Sequence, residues 1–107
     1  MGTPKDKIVR SFTKVMEKNF APCRVILFGS RATGKAKVDS DYDFIVVSPQ
    51  FQKWEWEKRG AKAYLLKKNI PASMDILCYT PQEFERKKKQ IGVVRQAVNE
   101  GIEIKAS

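Results

Sequence analysis

Three aspartates, Asp41, Asp43 and Asp75, sit beside apolar runs, and the pair Gly29-Ser30 closes another run, Val25-Ile26-Leu27-Phe28. In Asp41-Tyr42-Asp43 the two carboxylates are two residues apart. On an extended segment such residues share a face, separated by roughly 6.6 Å of rise, so both can aim at one point. Over Ser73 to Tyr79 the same alternation sets Met74, Ile76 and Cys78 on one side and Asp75, Leu77 and Tyr79 on the other. A carboxylate within an apolar strand is costly to bury unless it is paired or binds a metal, and proximity to Asp41 and Asp43 supplies a reason for Asp75. Three converging carboxylates repel and raise one another's pKa, whereas one or two Mg2+ ions among them turn the repulsion into binding. Two ions roughly 3.5 to 4 Å apart stabilise the attacking and leaving oxygens of an in-line displacement at phosphorus. Taken singly, Asp39 and Asp41 read as loop acids, Asp43 as a strand-edge residue and Asp75 as a lysine partner. Together, behind a glycine turn, they read as a metal site.

Gly29-Ser30 follows a buried strand and precedes a short helix, where backbone N-H groups and the helix dipole attract phosphate. Glycine lets the chain approach a ligand closely, Ser30 adds a hydroxyl, and Arg31 or Lys35 supplies positive charge toward a triphosphate. Gly29 to Ala36 also reads as the phosphate-loop pattern GxxxxGK[ST], but Ala36 replaces the magnesium-binding hydroxyl, and Val38-Asp39-Ser40 leaves little room for a following helix. The phosphate-loop reading is set aside on that ground.

The composition narrows the chemistry further. There is no histidine, and Cys23 and Cys78 stand alone, which excludes the common zinc sites and any Ser-His-Asp or Cys-His nucleophile. Catalysis must then rest on carboxylates, metal ions, lysine or hydroxyl groups. The net charge of +9 favours polyanionic partners, although a lysine-rich exterior equally serves solubility or heat resistance. At 107 residues the chain fits one domain, 1–107. No apolar run reaches the roughly 18 residues that span a bilayer, and no signal-peptide core is evident, so a cytoplasmic location is expected.

The elements that must position these residues follow from periodicity and punctuation. Thr3 as cap, Pro4 at the first helical position and Asp6 reaching back predict a helix to about Asn19, with Ile8, Val9, Phe12, Val15 and Met16 on one face. Strands are expected at Cys23 to Phe28, Asp43 to Val47 and Ser73 to Tyr79, with a short terminal strand at Ile102 to Ile104. A helix is expected over Phe51 to Lys68, weakened at Gly60. Another begins with the capping arrangement Thr80-Pro81-Gln82-Glu83 and runs to about Asn99, broken or kinked at Gly92. The fold class is α/β (α+β), a small mixed β-sheet flanked by helices.

Gly29-Ser30, ten residues, then Asp41-Tyr42-Asp43 among apolar neighbours, and later Asp75 on a strand resemble the polymerase-beta-like nucleotidyltransferase superfamily, most closely its minimal nucleotidyltransferase branch. The resemblance implies the nucleotidyltransferase fold, NTP phosphates (ATP in particular) near Gly29 and Ser30, and two Mg2+ ions on Asp41, Asp43 and Asp75. It further implies that Asp75 acts as general base while the α-phosphate is attacked and pyrophosphate leaves. Minimal members work beside a HEPN-type protein as antitoxins that transfer AMP to it, so such a partner, or self-association, is expected here. One departure stands out: Thr33 replaces a second arginine that many members carry, which shifts phosphate contacts toward Lys35 and Lys37.

Two alternatives remain open: a non-catalytic partner-binding module of the same fold, and a basic nucleic-acid-binding domain. Trp54, Trp56, Tyr64, Leu65 and Leu66 make the third helical region unusually aromatic and apolar. Either it docks on a partner, or Trp54 with Leu65 or Leu66 faces the sheet while Trp56 covers an edge. The run Arg86-Lys87-Lys88-Lys89 spreads around a helix axis and reads as a solvated face.

Overall fold

The computed structural model describes residues 6–104. The chain runs α1 (Lys7–Phe20), β1 (Arg24–Phe28), α2 (Ser30–Thr33), β2 (Tyr42–Val47), a 3-10 turn (Pro49–Lys53), α3 (Trp56–Leu66), β3 (Met74–Tyr79), α4 (Pro81–Lys87), α5 (Val93–Glu100) and β4 (Ile102–Ile104). The four strands lie in the order β3-β2-β1-β4. β1 is antiparallel to both neighbours, while β2 and β3 are parallel and joined by the crossover that contains α3. This is the mixed sheet with flanking helices that the sequence implies.

Alternation along the strands divides the apolar residues between two cores. Val25, Leu27, Phe44, Val46, Ile76 and Cys78 pack with Val9, Phe12, Met16 and Phe20 of α1 and Ala63 of α3. Phe12 stacks on Phe44 with ring centroids 4.1 Å apart, and such pairs add about 0.5–1.5 kcal/mol beyond the burial itself. The opposite face of the sheet carries Ile26, Ile45, Val47 and Tyr79, covered by Phe84 of α4 with Val94 and Ala97 of α5. β2 is central, and its last four residues are buried on both faces. It is therefore a rigid base for whatever its first residues hold.

The expected caps are found at Thr80, where the side chain accepts from Glu83 N-H and the Glu83 carboxylate accepts from Thr80 N-H. At α1 the cap is Asp6, whose Oδ1 accepts from the N-H groups of Ile8 at 2.8 Å and Val9 at 3.2 Å. The expected cap at Thr3 and start at Pro4 lie outside the described residues. Two helices are shorter than expected. Ser48-Pro49 turns the chain into a 3-10 segment in which Phe51 is buried, so α3 begins only at Trp56. α4 already stops at Lys87, and α5 starts afresh at Val93 behind Gly92, its N-terminal flanking residue at φ 156°.

The apolar residues of α3 correct an expectation. Leu65 and Leu66 do not face the sheet: they are 67% and 37% exposed, and the helix buries Arg59 and Ala63 instead. Arg59 Nη1 donates to Glu83 Oε1 at 2.6 Å and to Cys78 O at 3.3 Å, and Nε donates to Trp54 O. The helix is pinned by this buried guanidinium, so its leucines are free to point outward. Trp54 packs against Phe20 of α1, and Trp56 lies against Tyr79 of the end strand β3, the one part of the second expectation that holds.

Candidate active site

The first residues of β2 and β3 and the last of β1 meet at one end of the sheet. Phe28 pairs with Asp43, and Asp43 pairs with Asp75. Alternation puts Asp43 and Asp75 on the same face, the one covered further along by α4 and α5. The two carboxyls, distant in sequence, stand side by side across the β2–β3 register. The Asp43 carboxyl is held above its ordinary pKa, first by burial, then by the charges of Asp75 and Asp41. Asp41 precedes the strand and is exposed, close enough for its charge to be felt at Asp43. The acid pair thus stores repulsion that a proton or a cation relieves.

Asp75 is exposed, not buried in a strand interior as expected. It is the second residue of β3, beyond the reach of the apolar cover that buries Tyr79, so it keeps much of its hydration. The cost of burying an acid does not explain its presence; its place beside Asp43 does.

Gly29 lies directly against this pair. Its φ of 73° is one that side chains rarely adopt, and a Cβ there would collide with Asp43 Oδ2. The missing side chain leaves room for the Asp43 carboxylate, alongside the close approach to a ligand that the sequence suggests. The Gly29 carbonyl accepts from Ala32 N-H at 3.0 Å, opening the single turn α2. Ser30 is half-buried at the start of that turn and Lys35 is exposed just past it, with Lys35 N-H donating to Ser30 O at 3.0 Å.

Arg31 is engaged with the loop that follows α2. Its Nη2 donates to Ser40 O at 2.8 Å and Val38 O at 3.2 Å, and its guanidinium lies 4.2 Å from the centre of the Tyr42 ring. It clamps the loop that delivers Asp41. Tyr42, between the two acids, turns into the core, and its hydroxyl donates to Asp6 Oδ2 at 2.8 Å. One aspartate therefore caps α1 with one oxygen and anchors β2 with the other. Sequence reasoning missed Tyr42 and Asp6 as supports; the only signal was an aromatic residue flanked by acids.

Among the described residues, no group of three or more Asp, Glu, Cys or His side chains is drawn together tightly enough to enclose a metal by itself. Asp43 and Asp75 nevertheless fit a magnesium ion, which takes hard oxygens and is commonly held by one or two carboxylates plus substrate phosphates. Hard, paired oxygens under mutual repulsion are the donor set such an ion needs. No helix among the described residues is long and apolar enough to cross a membrane.

No curated protein matches the sequence. Among solved structures, a chain of a toxin-antitoxin crystal structure with AMP-PNP is 16% identical, with a TM-score of 0.63 over 95% of this chain and 75% of that one. A protein of Sulfolobus solfataricus assigned as a nucleotidyltransferase is 23% identical, with a TM-score of 0.58 over 75% and 70% of the two chains. BolA1 from Arabidopsis thaliana, 17% identical, reaches a TM-score of 0.59 over 73% of this chain and 96% of its own. At these identities the likenesses speak for the fold alone, which is shared with proteins of quite different name. The sequence itself is more specific: residues 9–104 match the nucleotidyltransferase domain, a span that takes in Gly29, Asp41, Asp43 and Asp75. With the paired acids of β2 and β3 seated over the glycine turn, this chain belongs to the nucleotidyltransferase domain family.

Proposed function

We propose that the protein transfers a nucleoside monophosphate, AMP from ATP, to a hydroxyl group on a separate protein, and that it acts as the antitoxin of a HEPN-type partner. The observation that carries this reading is the in-register pair Asp43 and Asp75 beside Gly29. The likeness in fold to a chain of the toxin-antitoxin crystal structure with AMP-PNP supports a protein partner and a nucleotide in general terms, and the HEPN-type partner and ATP are proposed from the resemblance of the sequence.

In this reading the triphosphate lies along Gly29, Ser30 and Lys35, while Arg31 keeps the Asp41 loop in place. Asp41, Asp43 and Asp75 would hold one or two Mg2+ ions, which when bound supply positive charge to the phosphate oxygens. Asp75, hydrated and beside Asp43, accepts the proton of the acceptor hydroxyl. The acceptor oxygen forms a bond to the α-phosphorus, the bond from that phosphorus to the bridging oxygen breaks, and pyrophosphate leaves with the electron pair. Atoms and charge balance with the proton on Asp75.

The test is incubation with ATP labelled at the α-phosphate, magnesium and a lysate of the source organism. Label should appear on a discrete protein with the wild type and be lost with Asp41→Asn or Asp43→Asn. Equal labelling by all three would overturn the assignment. A folded Asp75→Asn variant that still neutralises the partner would favour a binding module instead.

A further inference from the structure

β3 is an end strand of the sheet, and its backbone groups alternate between β2 and the open side. Ser73 O and Tyr79 O accept from Tyr42 N-H and Ser48 N-H, each at 3.0 Å, which fixes the odd-numbered residues, Asp75 included, toward β2. Met74 and Ile76, on either side of Asp75, therefore turn their groups away from the sheet. One side chain of α3 meets both. The Tyr64 hydroxyl donates to Met74 O at 2.8 Å and accepts from Ile76 N-H at 3.2 Å. Further along the same edge, Arg59 Nη1 reaches Cys78 O.

Arg59 already pins α3 to β3 and α4, and the Tyr64 ring is 42% exposed and belongs to neither core cluster. The hydroxyl is thus the part of Tyr64 with a defined task, and that task is confined to the two peptide groups that straddle Asp75. The direction of a strand side chain follows the pleat of its own backbone. Held from β2 on one side and by Tyr64 on the other, the backbone at Asp75 has one pleat and one side-chain direction, toward Asp43.

We propose that Tyr64 is a positioning residue for Asp75: its hydroxyl clamps the strand edge so that the Asp75 carboxylate stays aligned with Asp43 and with the reacting hydroxyl. The inference rests on the nucleotidyl-transfer reading above. Because Tyr64 touches none of Gly29, Ser30 and Lys35, along which the triphosphate is proposed to lie, its loss should lower turnover and leave nucleotide binding alone. A small misplacement of a reacting group costs about tenfold or more in rate.

The test compares wild type, Tyr64→Phe and, as a control on the same helix, Leu65→Ala. Amide exchange by NMR should accelerate at Ile76 in Tyr64→Phe. Labelling of the acceptor found with the wild type should fall about tenfold in kcat, with KM for ATP within about twofold. Leu65→Ala should change neither. Unchanged Ile76 exchange, or faster exchange with undiminished kcat, would overturn the proposal. If the wild type labels nothing, the transfer reading fails, and Tyr64 is then judged by Mn2+ affinity measured by electron paramagnetic resonance: several-fold weaker binding in Tyr64→Phe sustains the alignment role, and equal binding refutes it.

Discussion

Replacing Asp43 by asparagine should make the metal-free protein more stable while abolishing transfer. Asp43 is the most enclosed of the three acids, and its raised pKa follows first from burial and then from Asp75 and Asp41. Like charges directly opposite on neighbouring strands cost roughly 0.2–1 kcal/mol. Asp75 and Asp41 are exposed, so solvent screens their share, and partial burial of Asp43 adds to it. The sum is about 1 kcal/mol, which for a domain of this size raises Tm by about 4 °C. The pH dependence follows from the direction of the shift. With its pKa raised on folding, Asp43 binds more protons in the folded than in the unfolded state between the two values, so stability is lost as pH rises through that window. The gain from Asp43→Asn is therefore full at pH 7 and vanishes below the ordinary carboxylate pKa. Thermal unfolding in chelator at low salt, at pH 7 and near pH 3.5, measures it. Added Mg2+ should raise the wild type and leave the variant nearly unchanged, narrowing the gap. An asparagine variant that melts at or below the wild type at pH 7 would show that the carboxylates do not repel, and the reasoning about the site would fail.

Gly29→Ala should cost about 1–3 kcal/mol from its backbone conformation alone and push the Asp43 carboxylate aside, so urea unfolding shifts and labelling is lost together. Asp6→Ala removes the α1 cap and the partner of the Tyr42 hydroxyl and should lower stability by about 1–2 kcal/mol, measured by the same unfolding curves. Arg31→Ala should accelerate amide exchange and proteolysis in the 38–40 loop, whose carbonyls it holds, with a loss of about 1 kcal/mol in stability.

What the sequence conveyed was mostly local. The capping pattern at Thr80, the buried runs of β1 and β2 and the break at Gly92 each depend on residues within a few positions. The spacing of Gly29-Ser30 to Asp41-Tyr42-Asp43 was specific enough to indicate the family before any pairing was known. The geometry of the site was not in view, because the alignment of Asp43 with Asp75 is set by the parallel register of two strands joined through α3. For the same reason the crowding at Gly29 was not legible: only the pairing of Phe28 with Asp43 brings that carboxylate over the glycine. The hold of Arg31 on the 38–40 loop was not legible because its partners are backbone carbonyls, which leave no mark in the sequence. Core packing of Leu65 or Leu66 stayed open as one of two readings because nothing local shows that Arg59 occupies the inner face of the helix.

In the proposed reaction a nucleotide and a divalent cation lie at the sheet end formed by Gly29, Asp43 and Asp75. NMR spectra of the labelled protein with a non-hydrolysable ATP analogue and substoichiometric Mn2+ locate the cation directly. Broadening of the amides at 29–31, 41–44 and 74–76, with those of α4 unaffected, is the predicted result. Broadening centred on α4, or none near Asp43 and Asp75, would contradict it.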